Sequence, residues 1–131
     1  MTWDIEYYEQ PDSTQPAEVY ENWLDQHHPK LAGKLLRAVD QLAEHGPRTG
    51  GGLVEPCRGY AGLWEVRTIF SRTLARELFG FDGSCVVLLH GYVKQVGQLA
   101  SIPDLNRASQ YWQDYLQTQR ISPEEPEPPE G

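Results

Sequence analysis

The four residues Val86-Val87-Leu88-Leu89 constrain this chain more than any others. Successive side chains of a strand point to opposite faces, so an unbroken apolar run requires a sheet that is covered on both sides. Two further runs precede it, Leu63 to Phe70 and Leu74 to Phe81, each rich in β-branched or aromatic residues. The separators Ser71-Arg72 and Asp82-Gly83-Ser84 are turn-like. Three successive antiparallel strands follow, with Val86 to Val93 central. The two flanking strands mix in Glu65, Glu77 and arginines.

The cover must come from helices. Val19, Tyr20, Trp23 and Leu24 recur at helical spacing between Ala17 and His27, and Leu31, Leu35, Val39 and Leu42 form one stripe between Lys30 and His45. His28-Pro29 breaks the first helix from the second, and Gly46-Pro47 stops the second. Leu105, Ala108, Tyr111, Trp112, Tyr115 and Leu116 give a final helix from Pro103 to about Leu116 an apolar side. Ahead of these, Trp3 to Tyr8 alternates apolar with acidic residues, the period of a half-buried strand. Arg48 to Gly62, glycine-rich and without a period, reads as a loop in which Leu53-Val54 packs locally. The expected fold class is α+β: a small antiparallel sheet in the order β-α-α-β-β-β-α, with an N-terminal helical hairpin and a C-terminal helix packed on it. A length of 131 residues suits one domain, placed at 1–120, followed by an extended acidic Pro/Glu tail at 121–131.

A net charge of −8 argues at first against a nucleic-acid partner, but the acids are segregated. Seven lie in residues 1–28, which hold no Lys or Arg, and four lie in the tail. The remaining eight share residues 29–120 with all eleven bases, a balance of +3, so the middle of the chain has the charge for a basic patch. No apolar run approaches the roughly 18 residues that cross a bilayer, and Met1 to Gln10 lacks the basic-then-apolar start of a signal peptide, so a cytoplasmic location is expected. Cys57 and Cys85 are expected to be reduced thiols. His27, His28 and His45 have no metal-ligand spacing with either cysteine, and Gly50-Gly51-Gly52 lacks the flanking strand and helix of a nucleotide loop. Neither a metal nor a cofactor is expected.

Arg67, Arg72 and Arg76 fall on one predicted hairpin and Lys94 just past the next strand, where antiparallel pairing brings cations together. A guanidinium fork grips two phosphate oxygens and stays charged throughout a reaction, whereas an ammonium acts as a compact point charge. Solvated strand residues account for the same spacing equally well. Strict alternation puts His90 on one face with Val86, Leu88 and Tyr92, either as a proton donor or as a hydrogen-bonded histidine at the edge of the core.

Three segments in order carry a family resemblance. Gly62-Leu63-Trp64-Glu65-Val66-Arg67 is similar to a G-L-[WY]-E-L-R strand, Arg76 through Phe79 with Phe81-Asp82-Gly83 to a Y-R-x-F-Y-F-x-D-G segment, and Val87 through Lys94 to V-L-L-H-G-F-x-K. The helix from Pro29 through Leu42, followed by His45-Gly46-Pro47, adds a fourth match. The chain resembles the phage-derived branch of HigB-like toxins in the RelE/ParE superfamily. The resemblance implies a RelE-like fold and a ribosome-dependent messenger-RNA endoribonuclease, in which a 2′-hydroxyl attacks its own 3′-phosphate without a metal. Arg67 and Arg76 match the phosphate-binding arginines, Lys94 a phosphate-binding or acid–base residue and His90 a proton-transfer residue, with Arg72 and Tyr92 as RNA contacts. The implied partners are a helix-turn-helix, HigA-like antitoxin, the ribosome and messenger RNA, with no membrane. The superfamily also includes binding modules that inhibit DNA gyrase without cutting RNA, which is the alternative activity. Departures from the pattern are Ala75 where an aromatic is usual, Gln95 where a second lysine is usual, and a final helix with Arg107 as its only base before Arg120.

Overall fold

Each predicted periodic segment forms the expected kind of element in the computed structural model, which describes residues 2–119. The expected acidic tail at 121–131 lies outside the described residues. The elements are β1 (Asp4–Tyr7), α1 (Pro16–His27), α2 (Pro29–His45), a 3-10 turn (Gly46–Arg48), β2 (Val54–Pro56), β3 (Trp64–Phe70), β4 (Thr73–Asp82), β5 (Cys85–Gln95) and α3 (Ile102–Thr118). A proline in the first turn opens each helix, where the missing N–H is not needed. Ser101 caps α3, its Oγ accepting from the Asp104 amide.

Two features of the sheet differ from expectation. The stretch read as a loop contributes β2, three residues paired antiparallel with β3 through Val54–Val66, Glu55–Glu65 and Pro56–Trp64. A strand that short cannot establish a period-2 pattern, and the ladder to β3 supplies what propensity does not. The sheet is also mixed rather than antiparallel: its order is β1-β5-β4-β3-β2, and β1 runs parallel to β5. Parallel neighbours need a long connection, and here the helical hairpin and strands β2, β3 and β4 intervene.

Both faces of the sheet are covered. On one, α1 and α2 pack Leu24, Leu31, Leu35 and Leu42 on Val66, Phe79, Val86 and Leu88. On the other, α3 packs Leu105, Ala108, Trp112 and Tyr115 on Leu63, Leu78, Val87 and Leu89. All four residues of the Val86–Leu89 run are fully buried, each worth roughly 1.5–3 kcal/mol relative to exposure. Two glycines let helix aromatics reach the backbone. The Tyr20 ring lies over Gly91, where an added Cβ would meet Cδ2 at 2.1 Å, and Trp112 lies over Gly80 at 2.5 Å.

The face of His90 is a correction. The β4–β5 register shifts between Leu78 and Phe79, which pair with His90 and Leu88 and leave Leu89 as an extra residue. This bulge reverses the alternation, so Val86 and Leu88 face α1 and α2 while His90 and Tyr92 face the side of α3. One inserted residue turns every later side chain of β5 to the opposite face.

Beneath α1, Glu77 is fully buried and neither of its oxygens has a hydrogen-bond partner. Burial, reinforced by the neighbouring Glu21 carboxylate, pushes the Glu77 carboxyl well above its ordinary 4.5. Glu21 is itself the acceptor of the Tyr7 hydroxyl at 2.5 Å. A carboxyl raised by folding holds its proton in the native state, so stability is greatest below the ordinary value and declines as pH rises through the raised one. Glu77→Gln is therefore expected to gain on the wild type in urea unfolding as pH increases from about 5 to about 8. A difference that does not change with pH would mean that Glu77 is ionised in the fold. At the other glycine contact, Gly91→Ala is expected to lower unfolding free energy by about 2–3 kcal/mol, because the methyl must displace the Tyr20 ring. An unchanged denaturation midpoint would show that the ring moves freely.

Candidate active site

The strand register aligns polar side chains in rows on the face that α3 only partly covers. One row runs Glu55, Glu65, Leu78, His90 across four strands. The next runs Arg67, Arg76, Tyr92, and beyond it Leu74 pairs with Lys94. Past the α3 end of these rows a cleft of about 630 Å³ opens, lined by Glu55, Cys57, Arg58, Glu65, Arg76 and Leu105 among others.

Arg67 and Arg76 are neither bare cations nor solvated strand residues: each lies against a carboxyl. Arg76 Nη1 lies 3.1 Å from Glu65 Oε2, and Arg67 reaches Glu55 Oε1 at 2.9 Å and Glu55 Oε2 at 3.2 Å. Arg67 Nε also donates to the Gly52 carbonyl at 3.1 Å. The Arg76–Glu65 pair is largely shielded from solvent, with side chains 12% and 6% exposed. Such a pair balances desolvation against attraction, and either partner alone would be strongly disfavoured. Even so, Arg76 Nε is buried with no acceptor. Burial raises the Glu65 carboxyl, although Arg76 and Arg67 pull it down, and its cross-strand neighbour Glu55 adds to the rise. Arg58, on the loop after β2, is exposed and has no ion pair among the described residues. Two carboxyls thus face four cations here, counting Lys94 at the edge.

Lys94 is held at that edge by donating to the Gln98 carbonyl at 2.5 Å, and burial followed by the nearby Arg76 charge lowers its affinity for a proton. Tyr92 presents its hydroxyl between Arg76 and the Ser101 amide, which donates to it at 3.4 Å. His90 is drawn away: Nε2 lies 2.7 Å from Asp104 Oδ1, while Asp104 Oδ2 accepts from Ser101 Oγ at 2.5 Å. Its ring meets Tyr111 edge-on, and Leu78 stands between it and Glu65. Arg72 sits at the tip of the β3–β4 hairpin in a left-handed conformation (φ 70°), apart from the cleft lining. The structure therefore brings Arg67, Arg76, Tyr92 and Lys94 together and leaves His90 and Arg72 outside.

Sequence reading missed Glu55, Arg58 and Glu65. Glu65 stood inside a recognised motif but was taken as a polar interruption of a strand. Glu55 and Arg58 are three residues apart in a stretch without a period, and only the ladder of β2 on β3 brings them to the arginines. Cys57 also lines the cleft, but burial pushes its thiol up to about 12, so it is a poor nucleophile. Among the described residues no three His, Cys, Asp or Glu side chains are arranged to hold a metal ion. Nor does any helix among them have the length and apolarity to cross a membrane.

No curated protein matches the chain. The family profile "Phage derived protein Gp49-like (DUF891)" matches residues 22–113, a span from within α1 to within α3 that includes every residue of the cleft. This family of RelE-like toxins belongs to toxin–antitoxin systems, which implies an antitoxin partner. The chain is thus a member of the Gp49-like family of RelE-like toxins.

Proposed function

We propose that this protein is a HigB-type toxin that cleaves messenger RNA on the ribosome, and that the cleft between β2, β3, β4 and α3 is its active site. The observation that carries this reading is the Arg76 Nε, buried without an acceptor at a cleft of about 630 Å³ that Arg58 also lines, with Arg67 and Lys94 beside it. A phosphodiester supplies the missing acceptor, and the cluster suits the developing charge of a phosphorane.

The carboxyls divide the proton transfers. Glu55 is the more exposed of the two and lies against Arg67, 2.9 Å from its Nη1. It takes the proton of the 2′-hydroxyl as that oxygen bonds to phosphorus. Glu65, whose carboxyl burial raises, returns a proton to the 5′ oxygen as the P–O5′ bond breaks. The products are a 2′,3′-cyclic phosphate and a free 5′-hydroxyl. Tyr92 positions Arg76, and Lys94 adds charge at the edge. His90, tied to Asp104, orients α3 against the sheet. The ribosome is the place of action and a helix-turn-helix antitoxin of the HigA type is the partner, both on the strength of the family.

One observation favours the rival reading, a binding module that inhibits a protein target such as DNA gyrase: both strand arginines are neutralised by acids at rest. Mapping transcript ends in expressing cells separates the two. Arg76→Ala and Glu55→Gln are each expected to reduce cleavage by about 100-fold or more, and with it growth arrest. Growth arrest that persists in both variants without transcript cleavage would favour the binding module. Because Glu65 acts protonated and its carboxyl is raised, cleavage should fall as pH rises through that raised value, and Glu65→Gln should remove this alkaline limb while lowering the rate throughout. An alkaline limb retained in Glu65→Gln would give the proton to another group.

A further inference from the structure

We infer that the RNA strand leaves the cleft across the outer edge of β3 and continues along the N-terminal half of α2, so that Lys34, Lys30 and Phe70 form a second binding segment for nucleotides flanking the cut. The inference rests on the ribonuclease reading and extends it to the substrate's path.

The edge is open for a structural reason. β2 is three residues long and pairs only with Trp64–Val66, and the last ladder contact is the Arg67 amide donating to Leu53. Beyond it the outer edge of β3 from Thr68 to Phe70 has no strand partner. A groove of about 260 Å³ crosses there, lined by Lys34 from the helix face, Gly51 and Gly52 from the loop, and Arg67, Thr68 and Ile69 from the strand. Arg67 lines the groove and pairs with Glu55 of the cleft wall, so it stands between the two. Thr68 is 7% exposed, and its Oγ1 is buried with no hydrogen-bond partner among the described residues, in the wall this groove shares with the next one along α2. An orphaned hydroxyl beside two cations calls for a polar ligand with oxygens to offer.

The charge points to a polyanion. Neither this groove nor the one of about 410 Å³ lined by His27, His28, Lys30, Phe70 and Thr73 among others has a carboxylate in its wall, whereas the groove that adjoins at Lys34 and Thr68 and follows the C-terminal half of α2 carries Asp40 and Glu44. Lys30 and Lys34 stand one turn apart on α2, about 6 Å along the axis, and neither has an ion pair among the described residues. Their placement runs against the helix dipole: the first turn of α2 has no acid, and Asp40 and Glu44 fall in the C-terminal half. Helix stability therefore does not explain these cations. Phe70 is 41% exposed with the Lys30 ammonium 5.5 Å from its ring centroid, an aromatic face and a cation at one spot. Alternating cations and an exposed ring fit single-stranded RNA, which offers phosphates and stackable bases in turn.

Fluorescence anisotropy with end-labelled, 2′-O-methyl oligouridylates, which cannot be cut, tests the path on the full-length wild-type chain. A nine-nucleotide strand is expected to bind about tenfold or more tighter than a three-nucleotide strand that fills the cleft alone. Lys30→Ala with Lys34→Ala should abolish that advantage and reduce the salt slope for the long strand by about 1.4, while the three-nucleotide strand binds as before. Phe70→Ala should weaken only the long strand, and thermal melting checks that each variant is folded. The path is overturned, and the cleft retained, if both lengths bind equally or if the double variant keeps the length advantage. If neither strand binds, the path is overturned, and the ribonuclease reading stands or falls separately on the mapping of transcript ends in expressing cells. A ten-residue poly-glutamate peptide that binds through Lys30 and Lys34 without the length effect on RNA would assign the surface to a protein partner instead.

Discussion

A five-strand sheet with apolar side chains on both faces needs cover on both, and among the described residues three helices provide it. The helical hairpin takes one face. The other is left to α3, which packs with Tyr8, Leu63, Leu78, Val87, Leu89 and Tyr92. Beyond them on that face stand Glu55, Glu65, Arg67, Arg76 and Lys94, of which Glu65 and Arg76 are still largely shielded. The cleft opens beside them. Polar residues stand there because water or a ligand must be able to satisfy them.

The charges gathered in that space restrain one another. Arg76 and Glu65 are too shielded to tolerate separation, and Arg67 and Glu55 close the same arrangement across the β2–β3 ladder. Self-neutralisation keeps the fold stable in the absence of a ligand, at the expense of the bare positive surface that the arginine spacing suggested. A phosphodiester entering the cleft competes with carboxyls for the guanidinium groups, and the raised carboxyl of Glu65 eases that competition because a protonated acid yields its partner readily. The proton donor and the ion pair are thus the same residue.

α3 is tied down by hydrogen bonds from several directions. Tyr8 donates to Asp114 at 2.6 Å, Tyr115 donates to Asp82 at 2.8 Å, and the His90–Asp104–Ser101 chain anchors its N-terminus. The helix bounds the cleft through Leu105, so its position sets the cleft's width. His90, a natural candidate for proton transfer on residue type, contributes to this geometry instead.

Periodicity determined the elements: the Val86–Leu89 run, the Leu31–Leu42 stripe and the Trp3–Tyr8 alternation each state a local geometry, because side-chain direction along one segment depends only on its own backbone. Local sequence also placed Arg67 and Arg76 opposite each other, since a two-residue turn at Ser71-Arg72 leaves little choice of register. Tertiary structure decided the rest. The parallel pairing of β1 with β5, the ladder that turns Val54–Pro56 into a strand, and the bulge at Leu89 that turns His90 toward α3 all depend on residues far apart in the chain. The acids that neutralise the arginines were visible as letters, but their partners were not: an ion pair is a distance in space, and no spacing along one strand specifies what the neighbouring strand brings beside it.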